Sequence, residues 1–135
     1  MAVDYGDSRT GVVVSDETAT IPGDAWVISE KHRHTLAQTI TDEAKARGVG
    51  KIVIGYPMNM DGTIGIRAEK SEHLAEKLRS MSDIEVVLCD ERLTSIQAER
   101  ILHNSGKQSR DIKNTIDAVA AALILESYLQ RMRNK

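Results

Sequence analysis

Three acids, Asp4, Glu91 and Asp117, stand where a carboxylate could reach a shared crevice. Asp4 follows the apolar step Ala2-Val3 and precedes Gly6. Glu91 lies just past the apolar run that ends at Cys89. Asp117 falls in the first turn of a helix expected from about residue 115. In an open α/β sheet, ligands sit outside the carboxyl ends of the parallel strands, and Asp4 and Glu91 fall there. Strand alternation gives Val87, Cys89 and Glu91 one face and Asp90 the other, so Glu91 is the expected member of the pair. Three carboxylates at one site repel each other unless a cation neutralises them. Oxygen-only ligands select a hard ion, Mg²⁺ or Mn²⁺. Two such ions can activate water on one side of a phosphodiester and stabilise the leaving oxygen on the other. Zinc is not expected, because His32 and His34 are two apart on a helix and Cys89 is the single cysteine.

Each acid also has an ordinary reading. Asp4 could simply start a turn. Glu91 could pair with Arg92 in solvent. Asp117 could be an N3 residue behind an Asn114 cap, where acids interact well with the helix dipole. The site reading needs all three to converge.

The loop Gly55-Tyr56-Pro57-Met58-Asn59-Met60-Asp61-Gly62 carries more turn chemistry than a βα connection needs. Following a buried strand, it is an expected substrate-contact element, with Asn59 and Asp61 as its polar contacts. Arg9, in the turn after the first strand, and Lys107, Arg110 and Lys113, in a polar loop before Asp117, are the expected phosphate contacts. Arg9 and Arg92 serve equally well as structural ion pairs. The overall charge is −2, which argues against a broadly basic nucleic-acid binder. The charge is uneven, however. Residues 100–135 carry seven Lys/Arg against three acids, so a local basic patch is expected there. With no Phe, one Trp and three Tyr, the chain lacks a base-stacking platform and suits recognition of backbone and shape.

The elements that must hold these residues follow from periodicity. Residues 2–5 and 10–15 are expected strands, joined by a turn at Asp7-Ser8-Arg9. Pro22-Gly23-Asp24 reads as a turn and residues 25–28 as a third strand. Residues 31–47 and 66–80 read as helices, with Leu36, Ile40 and Ala44, and Leu74, Ala75 and Leu78, facing inward. Residues 51–55 and 84–89 read as buried parallel strands. A helix is expected to begin at Thr94, with Gln97 completing a capping box. Residues 104–111 read as a loop. The last helix, about 115–131, is apolar nearly all round in its first half and is expected to pack on both sides. The 135 residues make one domain: a five-stranded mixed sheet, three antiparallel strands then two parallel, flanked by helices. A lone cysteine and the lack of a membrane span or secretory pattern suit a cytoplasmic setting.

Five blocks resemble the YqgF/RuvX family in order and spacing. They are Val3-Asp4-Tyr5-Gly6; Ser8-Arg9-Thr10-Gly11 with the following Val run; Gly55 to Gly62; Asp90-Glu91-Arg92-Leu93-Thr94-Ser95; and Asp117 to Leu125. The resemblance spans nearly the whole chain. It implies an RNase H-like fold and a carboxylate site for phosphodiester hydrolysis, with Asp4, Glu91 and Asp117 at the matching positions. It also implies a nucleic-acid partner, either precursor 16S ribosomal RNA processed at its 5′ end or branched DNA. Tyr56 departs from the family's usual Leu. Three rivals stand beside an RNA-processing nuclease: a junction-resolving endonuclease, which needs a homodimer where processing allows a monomer; a non-catalytic RNA-binding assembly factor; and, further off, an actin-type nucleotide-binding domain.

Overall fold

A computed structural model describes residues 1–15, 22–57, 61, 64–90 and 109–133, with backbone alone for Pro22, 109–117 and Arg133. Five strands, β1 (Ala2–Asp4), β2 (Thr10–Ser15), β3 (Pro22–Ile28), β4 (Lys51–Tyr56) and β5 (Glu85–Asp90), form one sheet in the order β3-β2-β1-β4-β5. The first three pair antiparallel, while β4 and β5 run parallel to β1. Helices α1 (Arg33–Ala46) and α2 (Ile66–Met81) cover one face, and α3 (Ser109–Arg133) covers the other.

Strand alternation builds both layers. Val3, Val12, Ile52 and Ile54 meet Leu36, Ile40, Leu74 and Leu78 in one core. Ala2, Val13, Val53 and Cys89 meet Ala121, Ile124, Leu125 and Leu129 in the other. β1 is three residues long and central, so it is apolar on both sides until Asp4. The helices end as the chemistry dictates. Arg47 caps α1, and Gly48 follows at φ +68°, a conformation that only glycine adopts readily. The amino end of β4 is fastened to α3, where Lys51 Nζ donates to the Tyr128 hydroxyl at 2.7 Å and pairs with Glu85 at 3.2 Å.

Two expectations change. Pro22-Gly23-Asp24 belongs to β3 and is not a separate turn. β3 is an edge strand, so a proline without an N–H removes no ladder bond that the sheet requires. The last helix begins at Ser109, so residues 109–111 are helical rather than loop. Polar Arg and Lys suggest a loop by composition, yet both are good helix formers. The described part of α3 lays one stripe, Ala120, Ala121, Ile124, Leu125 and Leu129, against the sheet. The expected packing on both sides concerns chiefly its first half, whose side chains to residue 117 lie outside the described ones. The helix expected at Thr94 lies outside the described residues.

Small residues set how closely α3 approaches: Ala121 and Ala2 are both fully buried in the same core. Replacing Ala121 with Leu forces an overpacked contact, and urea denaturation should show a loss of about 1–3 kcal/mol.

Candidate active site

Asp4 ends the central strand and is only 8% exposed, a buried carboxylate. The register explains why a charged group fits there. Asp4 pairs with Gly11 on β2. One step past the Val3–Ile54 pairing, it comes level with Gly55 on β4, which itself pairs with Cys89. The row across the sheet therefore reads Val27, Gly11, Asp4, Gly55, Cys89. By alternation it lies on the α3 face, directly above the filled row Ala25, Val13, Ala2, Val53, Val87. A glycine stands on each side of Asp4 in this row, at the carboxyl end of the parallel strands. That is where an open α/β sheet holds its ligands.

The turn after Asp4 is shaped by close backbone approach. A Cβ on Gly6 would collide with the Arg9 carbonyl oxygen, so the turn that carries Arg9 closes only with glycine at position 6. The same edge is pinned to α2 at two points. Lys70 Nζ donates to Asp7 Oδ1 at 2.8 Å, and this hydrogen bond holds the exposed Asp7 carboxyl below the usual aspartate range. The Tyr56 hydroxyl donates to Glu72 Oε1 at 2.6 Å, and that neighbouring carboxylate pushes the phenol's pKa up.

The other expected residues divide into groups. Arg9 sits partly buried beside Asp4's strand and already has a partner, so its structural reading holds alongside any phosphate contact. Asp61 is exposed in a turn. Asn59, Glu91 and Lys107 lie outside the described residues. Arg110 and Lys113 lie in α3 rather than in a loop, because the helix starts early. Asp117 is the ninth residue of α3, not a first-turn residue, which removes the helix-start explanation for it. Val87 and Cys89 do share the α3 face, with Val86 on the other, as alternation requires. Among the described residues no group of three potential metal ligands is assembled. Asp4 is described, and its carboxylate oxygens suit a hard divalent cation. Sequence reading missed the glycine flanks, since only the register places Gly11 and Gly55 beside Asp4.

Two hollows of about 750 Å³ and 760 Å³ lie at the opposite, amino edge, one lined by Lys45, Arg79 and Ile84 and the other by Lys51, Leu125 and Tyr128. Neither touches Asp4, and the chemistry favours the carboxyl edge despite their size. Replacing Gly6 with Ala forces the Arg9 carbonyl to move. We expect a loss of about 1–3 kcal/mol in thermal or urea unfolding, with the largest amide NMR shifts between Asp4 and Gly11.

Comparison with known proteins adds the lineage. The family model described as "RuvX: Holliday junction resolvase" matches residues 1–131. A protein of Caldanaerobacter subterraneus is 41% identical over 135 residues, covering 99% of this chain and 97% of its own. One from Geobacillus thermodenitrificans is 41% identical over 135 residues, covering 98% of each chain. One from Chloroflexus aurantiacus is 37% identical over 134 residues, covering 99% of this chain and 88% of its own. All three are named "Putative pre-16S rRNA nuclease". With a family model matched over nearly its whole length and relatives near 40% identity, this chain belongs to the RuvX family.

Proposed function

We infer that the protein is a nuclease that hydrolyses nucleic-acid phosphodiesters and trims the 5′ end of the 16S ribosomal RNA precursor. The RuvX family is RNase H-like, and nucleases of that type generally depend on a divalent metal. The carrying observation is Asp4, buried at the carboxyl end of the central strand between Gly11 and Gly55. Asp117 supports it from α3: it stands four residues before Ala121, which packs in the same core as Ala2. Asp4, Glu91 and Asp117 are the acids proposed to hold Mg²⁺ or Mn²⁺.

When bound, the ions supply charge neutralisation for the carboxylates and for the phosphodiester. The chain supplies the rest. β1, hydrogen-bonded on both sides, fixes the Asp4 backbone, so its carboxylate meets substrate with little reorganisation. Arg9, Asn59, Asp61, Lys107, Arg110 and Lys113 are the proposed substrate contacts; the cationic ones would position the backbone and carry no sequence information. We place the protein in the cytoplasm, as a monomer or homodimer; no helix among the described residues is long and apolar enough to cross a membrane. The second reading, cleavage of four-way DNA junctions, is favoured by the description of the matching family model.

The test incubates the protein with a 5′-extended 16S precursor and with a four-way DNA junction, in Mg²⁺ or Mn²⁺. Wild type should cut the RNA at a defined 5′ position, while Asp4→Asn loses at least about a hundredfold in rate and keeps its fold. Gly55→Ala should also fold normally and cut slowly. Preference for the junction would transfer the assignment to the second reading. Equal behaviour of wild type and Asp4→Asn on both substrates would leave a non-catalytic RNA-binding factor.

A further inference from the structure

Two large apolar side chains at the entry to α2 are left to solvent. Ile64 is 56% exposed and Ile66 73%, the highest values among the exposed large hydrophobics of the described residues. They lie two and four positions before Ala68, the first inward residue of a helix whose core face, Ala68, Ser71, Leu74, Ala75 and Leu78, is already filled. Their place is specific. They follow the carboxyl end of β4, so they stand on the same edge of the sheet as Asp4, in the layer on its other face.

Two contacts tie the helix that follows to neighbouring elements. The Lys70–Asp7 pair ties the second turn of α2 to the turn that follows Asp4, and Tyr56–Glu72 ties the same part of α2 to the end of β4. Arg67, between the isoleucines and these anchors, is exposed and makes no ion pair among the described residues. Its charge is felt at Asp7, which places it close to the same turn. An exposed apolar pair followed by an exposed guanidinium, on the carboxyl edge that also carries Asp4, matches one chemistry well. Aliphatic side chains insert against bases that have left the stack, and a neighbouring cation takes the adjoining phosphate.

We propose that Ile64 and Ile66 form a wedge against an unstacked base at the boundary between paired and unpaired RNA, with Arg67 holding the phosphate next to it. The wedge rests on the nuclease reading and deepens it: it makes a paired–unpaired boundary, rather than a uniform duplex, the preferred substrate.

The test measures binding, so it does not depend on cleavage. An RNA hairpin with a 5′ extension, carrying 2-aminopurine at the first unpaired position, is titrated with the Asp4→Asn protein in Ca²⁺. A fully paired RNA duplex is the control. Fluorescence should rise on binding as the base unstacks. In the same background, Ile64→Ser/Ile66→Ser should abolish the rise and weaken hairpin binding about fivefold or more, while duplex binding is unchanged. Arg67→Gln should weaken binding to both RNAs and lower the salt slope by about one. Since all three residues are exposed, the variants should unfold at the wild-type temperature, and circular dichroism checks this. An unchanged fluorescence rise and hairpin affinity in the double serine variant overturns the wedge. A wild type that shows the wedge signature but never cuts RNA or junction overturns the nuclease reading and leaves the wedge standing.

Discussion

The two halves of the sheet are joined through β1, a strand of three residues with an antiparallel neighbour on one side and a parallel one on the other. That placement obliges Ala2 and Val3 to be apolar and small enough to lie under helices on both faces, and both are fully buried. It also decides where a charge can be tolerated. A carboxylate in the middle of such a sheet is costly unless it is paired or binds a cation. Asp4 occupies the last position, where the strand ends and the flanking positions are glycine. The lower rows fill the core and the top row carries the carboxylate, so one short strand serves both stability and chemistry.

The two helical layers take different parts in this plan. α1 and α2 close one face with large side chains, from Leu36 and Ile40 to Leu74 and Leu78. α3 closes the other with alanines at its centre, so it can lie near the sheet while bringing Asp117 in its third turn. The carboxyl edge is reinforced by exposed contacts, Lys70 with Asp7 and Tyr56 with Glu72. Exposed pairs add little to global stability. Their effect is local: they keep the turn after Asp4 and the start of α2 in one register. The chain's net charge of −2 is compatible with a nucleic-acid substrate because the contacts required are local ones at this edge.

Much of the fold was legible in the residues, for reasons that can be named. The 3.6-residue rhythm of Leu36, Ile40 and Ala44, and of Leu74, Ala75 and Leu78, marked the faces that are buried, and the Val and Ile runs marked the strands. Family resemblance supplied the RNase H-like type, and the comparisons bear it out. Errors fell where composition opposes context. Pro22 looked like a turn because proline cannot pair inside a sheet, but edge strands accept it. Residues 109–111 looked like a loop because they are polar, and a long helix carried them. At the site, Asp4 could be picked out as a strand-end acid. The glycines beside it could not, because Gly11 and Gly55 are far apart in sequence and only strand register brings them together. Ile64 and Ile66 were equally silent, since exposure is a property of the folded surface.

The account stands or falls on whether the row around Asp4 is where a divalent ion binds. Amide NMR spectra of the uniformly labelled protein, recorded as Mn²⁺ is added in small substoichiometric steps, test this directly. Paramagnetic broadening should appear first at Val3 to Gly6, Gly11 and Gly55, leave the amino edge around Lys51 and Ile84 sharp, and disappear from the carboxyl edge in Asp4→Asn. Broadening that begins elsewhere, or that is the same in Asp4→Asn, would contradict the assignment of Asp4 as the centre of the site.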